Sequence, residues 1–271
     1  MTWLKLTTKA LYLMDSSSNN YLKKVELKEH NPAQQEFKVS IPLEWFQKVN
    51  APGKMSIELN PTSPEPDPPP SSDALKIFDK VKTTDKWGAF PVAASPFPRT
   101  NPKFIVIHNT ADPNPPSDRS KGTENGAKQL AIDTQEYHRH GRAVEGKEPF
   151  ADSGHNFLNT TGGFLLEGRH GSLNAIVQGQ CVRSAHAAQD TGKLAGGNES
   201  PGIENEGNFM TFHMEQKQWD SLVALCAGIC KSCNIDPSQI RGHRDFSFTD
   251  CPGDWLYSQL DKLRNEVRTK L

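Results

Sequence analysis

The sequence predicts an α/β fold: a mixed central β-sheet flanked by helices, preceded by a small β-rich N-terminal module. Three observations carry this expectation. Residues 60–73 read NPTSPEPDPPPSSD, and six of the ten residues from Pro61 to Pro70 are proline. Such a run forms a semi-rigid polyproline spacer that joins neither sheet nor helix. Upstream of it, short alternating apolar patches dominate, as in half-buried strands. Downstream, strand and helix signatures alternate, the pattern of helices packed on a sheet. The expected organisation is a module over 1–59, a linker over 60–73 and a larger domain over 74–271.

In the module, WLKLTTKALYL, YLKKVELK and FKVSIPLEWF read as strands joined by the polar turns SSSNN and HNPAQQ. In the larger domain, KFIVIH (103–108) is a short β-branched run, a buried strand. ENGAKQLAIDTQEYHRHG (124–141) has helical spacing and is expected to stop at Gly141. HNFLNTTGGFLLEGR (155–169) reads as two strands around a glycine turn, and PGIENEGNF (201–209) as a further strand. MEQKQWDSLVALCAGICKSC (214–233) is an amphipathic helix. CPGDWLYSQLDKLRNEVRTKL (251–271) reads as a closing helix with Pro252 at its beginning.

Charge narrows the function classes. Lys and Arg total 31 against 32 Asp and Glu, a net charge of −1, which offers neither a nucleic-acid footprint nor a polybasic membrane signal. No run of ~18 apolar residues suggests a membrane-spanning helix, and a monomer is expected. Lys5 and Lys9 interrupt the N-terminal apolar residues, so no signal peptide is visible. The expected setting is the cytoplasm, or release to the cell wall by a non-classical route. Five cysteines are too few and too uneven for a disulfide scaffold. Cys226, Cys230 and Cys233 have cluster-like spacing. They share a helical stripe with Leu222, Leu225 and Ile229, however, and the core reading is preferred.

The residues suited to chemistry stand at strand ends and in loops. His108 closes the FIVIH strand, and His243 precedes Cys251 by eight residues in the turn-rich segment RGHRDFSFTDCPGDW. Two imidazoles and a thiolate are preferred zinc donors, and three protein ligands leave a fourth position open, the catalytic arrangement. Each alone has an ordinary structural reading, His108 as a polar strand terminator. Cys251 as a nucleophile with His243 is a further alternative. Glu204 and Glu206 in GIENEG alternate onto one strand face, and either suits a general base or a solvated edge. His138 and His140 form H-x-H in a helix and do not share a face, so a structural role is expected.

Taken together, IVIHNTA, DSGHNFL with the GGFLLEGR hairpin, SAHAAQ, SPGIENEGNF and GHRDFSFTDCPGDWLY resemble, in order and spacing, the zinc-dependent N-acetylmuramoyl-L-alanine amidase family. That family includes phage amidase lysins and peptidoglycan recognition proteins. The resemblance spans roughly residues 100–262, and HRD…CPGD is its most specific part. It implies Zn2+ as cofactor, held by His108, His243 and Cys251, with Glu204 as catalytic base and Glu206 in reserve. The implied substrate is peptidoglycan or a muropeptide, cut between N-acetylmuramic acid and L-alanine. Some phage members carry a tyrosine where this chain has Gly154, which strengthens the glutamate reading. Others carry a lysine where it has Thr249, which supplies a hydrogen bond but no charge. His186 matches a cleft histidine and is implied to contact substrate or its oxyanion. By position, Asn109, Thr110 and Asn208 are further cleft contacts. The alternative is a peptidoglycan-binding module without catalysis, the fate of this fold when the third ligand is lost. Here Cys251 is present.

Overall fold

The computed structural model describes the backbone of five short strands within residues 2–38, and residues 73–92 and 97–271. Two compact units result, Met1–Ser71 and Ser72–Leu271. In the first, β1 (Thr2–Leu6), β2 (Ala10–Asp15) and β3 (Tyr21–Glu26) form an antiparallel meander, and β4 (Glu29–Asn31) pairs with β5 (Glu36–Lys38). The proline-rich linker, apart from Asp73, and the end of FKVSIPLEWF lie outside the described residues.

In the second unit, the 3-10 helix Asp73–Lys80 and the short helix α1 (Thr84–Trp87) precede β6 (Arg99–Thr100) and β7 (Ile105–Asn109). Helix α2 (Glu124–Glu136) and α3 (Arg142–Val144) follow, then β8 (Phe157–Asn159), β9 (Leu165–Glu167), α4 (Ser172–Val177), β10 (Cys181–Val182) and β11 (Gly202–Asn205). Helix α5 (Gln216–Cys233), β12 (Ile240–Gly242), α6 (Asp254–Ser258) and α7 (Leu260–Arg268) complete it. The main sheet has the order β12-β7-β11-β8-β9. Its first four strands run parallel and β9 turns back antiparallel, so the sheet is mixed and flanked by helices, as expected.

Side-chain alternation divides the sheet into two environments. Ile105, Ile107, Phe157 and Ile203 pack with Leu222, Leu225, Cys226 and Ile229 of α5 in the main core. The parallel strands are buried on both faces, hence their apolar runs. On the opposite face, Leu158 and Leu166 pack against Ala127, Leu130 and Ala131 of α2. Helix α2 thus covers the β8–β9 side. Beneath the rest of that face, Val106 packs with Ala187 and Phe246 from loops. Polar groups can therefore collect at the strand ends there, where α/β sheets place their ligands.

Three expectations are corrected. The helix begun at Glu124 does not stop at Gly141. A π-helical turn, Tyr137–Gly141, carries it on into α3, with Gly141 in right-handed helical geometry at φ −62°. The closing helix does not begin at Pro252. Gly253, at φ +96° and ψ 151°, breaks the backbone, and helix starts at Asp254. A Cβ at Gly253 would stand 2.5 Å from the Phe209 carbonyl oxygen, so glycine is needed for that close approach. The 201–209 strand is confined to Gly202–Asn205, which leaves Glu206 outside it. The cysteine stripe of α5 is core: Cys226 and Cys230 are buried, and Cys233 packs alongside. Burial pushes the Cys226 thiol well above its ordinary pKa and those of Cys230 and Cys233 up to about 12, so none is poised as a thiolate. No helix among the described residues is long and apolar enough to cross a membrane.

Candidate metal centre

The parallel register assembles the site. Glu204 on β11 pairs directly with His108 on β7, and registered partners of neighbouring strands project to the same face. On the other side of β7, Gly242 of β12 pairs with Ile107, so His243, the next residue, emerges beside His108. The His108 and His243 ring centroids lie 4.4 Å apart. Cys251 returns from the 243–251 loop to place its Sγ 3.6 Å from His108 Nδ1. Among the described residues, His108, His243 and Cys251 form the group of three potential metal donors whose ligand atoms converge, all within 4.8 Å of one another. That spread is the scale of one ion's coordination shell.

Neighbouring backbone holds the loop. The Asn109 N–H donates to Cys251 Sγ at 3.4 Å, and the Asn109 amide donates to the Pro252 carbonyl at 2.9 Å. Thr249 Oγ1 accepts the Cys251 N–H at 3.2 Å, and the Cys251 carbonyl accepts the Arg244 N–H at 3.1 Å. Asp245 accepts from the Gly242 N–H and, at 2.6 Å, from the Tyr257 hydroxyl, which fixes the turn after His243. An open cavity of about 630 Å³, lined in part by Lys193, Arg241, Arg244, Phe248 and Thr249, adjoins this loop.

Burial dominates the electrostatics. Desolvation, followed by the charges of His243 and His186, holds the His108 pKa well below its usual value. Burial brings His243 down to about 4, so both imidazoles are neutral at pH 7 and have lone pairs to give. Burial, and then the negative charge of Glu204, raises the Cys251 thiol. The thiolate form of Cys251 beside a carboxylate is unfavourable unless a cation joins them. Glu204 itself is pushed up to about 8 by burial and then by Asp112. It receives no hydrogen bond from the described residues.

Glu206 has a different environment. Completely buried, its carboxylate accepts the Ser120 N–H at 2.7 Å, the Ser120 hydroxyl at 2.5 Å and the Thr161 N–H at 2.9 Å. Glu206 is therefore engaged by fixed donors and not open to a proton or substrate, in contrast to Glu204. β11 ends at Asn205, and Glu206 ties the 118–120 and 160–161 loops together.

The other expected cleft residues are committed to internal contacts as well. His186 has both ring nitrogens engaged: Nδ1 stands 2.9 Å from His108 Nε2, and Nε2 stands 2.9 Å from the Ser200 carbonyl oxygen. Asn109 braces the Cys251–Pro252 segment. Thr110 Oγ1 accepts the Gly207 N–H at 3.0 Å and the Asp112 N–H at 3.3 Å. Asn208 accepts the Met210 N–H at 3.2 Å and is itself gripped by Asn114. Thr249 and Thr110 each retain a hydroxyl proton. His138 packs against the Phe150 ring and accepts the Gly154 N–H at 3.2 Å, while exposed His140 pairs with Glu136. Sequence reasoning missed Asp112, four residues after His108 and the charge that bears on Glu204. It also missed the Ser200 carbonyl.

The amidase pattern described as N-acetylmuramoyl-L-alanine amidase matches residues 98–254, more than half of the chain. The chain belongs to this family. Solved structures of similar fold include peptidoglycan recognition protein LE in complex with tracheal cytotoxin, a monomeric diaminopimelic acid-type peptidoglycan. It is 20% identical, with a TM-score of 0.53, over 68% of this chain and 94% of that one. Wild-type peptidoglycan recognition protein LB of Drosophila is 21% identical, with a TM-score of 0.51, over 67% and 92%. Peptidoglycan recognition protein 1 of Manduca sexta is 19% identical, with a TM-score of 0.50, over 68% and 90%. None of the curated protein sequences matches the chain. The amidase domain thus shares its fold with these recognition proteins, and the match region contains His108, Glu204, His243 and Cys251.

Proposed function

We propose that this amidase-family domain is a zinc-dependent hydrolase that cleaves the amide between the lactyl group of N-acetylmuramic acid and L-alanine in peptidoglycan or muropeptides. The observation that carries the reading is the convergence of three donors within 4.8 Å beside Glu204, a partly buried carboxylate with no hydrogen bond from the described residues. The donor set fits zinc: two neutral imidazoles, and a thiol whose ionised form, disfavoured by its surroundings and by Glu204, a cation stabilises. His108, His243 and Cys251 would hold the ion, which supplies Lewis-acid chemistry, polarising a carbonyl and acidifying water.

The chain's own groups do the rest. Glu204 takes a proton from the attacking water as its oxygen bonds to the lactyl carbonyl carbon. It then delivers that proton to the alanine nitrogen as the C–N bond breaks, giving a lactyl carboxylate and a free amine. An unpartnered carboxylate is suited to this exchange, because no fixed donor holds it in one protonation state. A positive charge at the triad favours its ionised form at neutral pH. Thr249 offers its hydroxyl proton to the substrate. A muropeptide substrate accords with the complex of peptidoglycan recognition protein LE with a monomeric peptidoglycan.

The test is zinc content together with product analysis. Purified protein should hold one zinc per chain, and mass spectrometry should show a muropeptide split into lactyl acid and free peptide. That activity should be lost to a chelator and restored by zinc. Protein that binds muropeptides with zinc present but leaves them intact would overturn the reading in favour of recognition alone. Cleavage that persists in chelator would overturn the metal assignment.

A further inference from the structure

The two nitrogens of an imidazole cannot be chosen independently. When one carries the hydrogen, the other has the lone pair. The Ser200 carbonyl can only accept, so His186 Nε2, 2.9 Å away, must donate. A neutral imidazole that donates through Nε2 carries its lone pair on Nδ1. His186 Nδ1 is therefore an acceptor, and the hydrogen in the 2.9 Å contact with His108 must sit on His108 Nε2. That leaves the lone pair of His108 on Nδ1, the nitrogen 3.6 Å from Cys251 Sγ.

We propose that His186 is a positioning residue. Anchored on the Ser200 carbonyl, it fixes the tautomer and rotation of His108 so that Nδ1 faces His243 and Cys251. Metal-binding histidines commonly donate their second N–H to a carboxylate or carbonyl. Here a second histidine relays that constraint from the backbone. The edge-to-face packing of the two rings, with centroids 4.8 Å apart and planes at 79°, blocks rotation of His108. Gly202 makes the space, since a Cβ there would stand 2.6 Å from His186 Cγ. The motif SAHAAQ is thereby tied to the metal centre through His186, and Gly202 of the GIENEG strand is needed for its fit. The metal part of this inference rests on the zinc reading above, whereas the tautomer does not.

Nitrogen NMR of histidine-labelled, chelator-treated protein reads the tautomers without any metal. Both His108 and His186 should be Nε2–H forms, and an Nδ1–H form of His108 would overturn the proposal. Zinc affinity, measured by competition with a chelating dye, supplies the second readout. His186→Leu should weaken binding about 10- to 100-fold. His186→Gln, whose amide can accept from His108 and donate to Ser200, should stay within about threefold of wild type. Gly202→Ala, which displaces the ring without altering its chemistry, should resemble His186→Leu. Wild-type affinity in His186→Leu would overturn the proposal. If that variant does not fold, the wild-type tautomers still decide. Wild-type protein with the expected tautomers but no affinity for zinc would overturn the metal reading and leave the relay supported.

Discussion

Glu204 and Glu206 stand two residues apart, yet their surroundings are opposite: Glu206 is completely buried and Glu204 only partly. Glu206 is wrapped by N–H and hydroxyl donors from Ser120 and Thr161, which offset the cost of burying its charge. Glu204 has no such donors. It lies beside His108 in the strand register, and burial with the Asp112 charge raises its pKa to about 8. A saturated carboxylate works as a strut. A bare one is costly to the fold and is open to a proton or a cation. The difference separates the structural from the chemical glutamate more sharply than strand alternation could.

Substituting each glutamate in turn tests this contrast. Glu204→Gln should lower kcat by about 100- to 10,000-fold, the usual scale of a lost general base. Its unfolding midpoint should stay at the wild-type value or rise, because no hydrogen bond is lost. Glu206→Gln should do the reverse. It replaces an acceptor with an amide whose N–H2 meets the donors of Ser120 and Thr161, and unfolding should become easier by about 3 kcal/mol. Denaturant titration of both variants checks the pair, and equal destabilisation would erase the distinction.

The same logic sets the pH response. Burial, then the charges of His138 and His186, holds the His155 pKa well below its ordinary value. Below about pH 6.5 the unfolded chain therefore binds a proton that the folded chain refuses, and stability falls as pH falls. The slope is at most about 1.4 kcal/mol per pH unit for this imidazole. Thermal unfolding of metal-free protein between pH 7 and pH 5 should show the decline, and His155→Phe, if folded, should make it shallower. The smallest effect is expected from Cys226→Ala, about 1 kcal/mol for a lost core group, with zinc content unchanged. Loss of zinc in that variant would return the α5 cysteines to consideration as ligands.

Much of the fold and of the centre was legible in the sequence because periodicity and donor chemistry are local signals. FIVIH marked β7 and the apolar stripe marked α5, while His108 at a strand end and His243 and Cys251 in a turn-rich segment were candidates by residue type that the family resemblance joined into one ligand set. What was not legible depends on distant partners. Glu206 could not be told from Glu204, since Ser120 lies 86 residues away and Thr161 45. The contacts of His186 could not be read because one of them is a backbone carbonyl, which carries no residue signature. The continuation of α2 past Gly141 was hidden because glycine also tolerates helical geometry. Gly253, not Pro252, ended the loop before α6, and its positive φ and the close approach of the Phe209 carbonyl explain it.

The most direct test of the central claim compares wild-type and Glu204→Gln protein, both zinc-loaded, on one defined N-acetylmuramoyl-L-alanyl peptide, with binding and single-turnover cleavage measured side by side. Equal affinity is predicted, with rapid release of the alanyl peptide by the wild type and at least a 100-fold slower release by the variant. Cleavage by the variant at the wild-type rate, or tight binding by the wild type without cleavage, would contradict it.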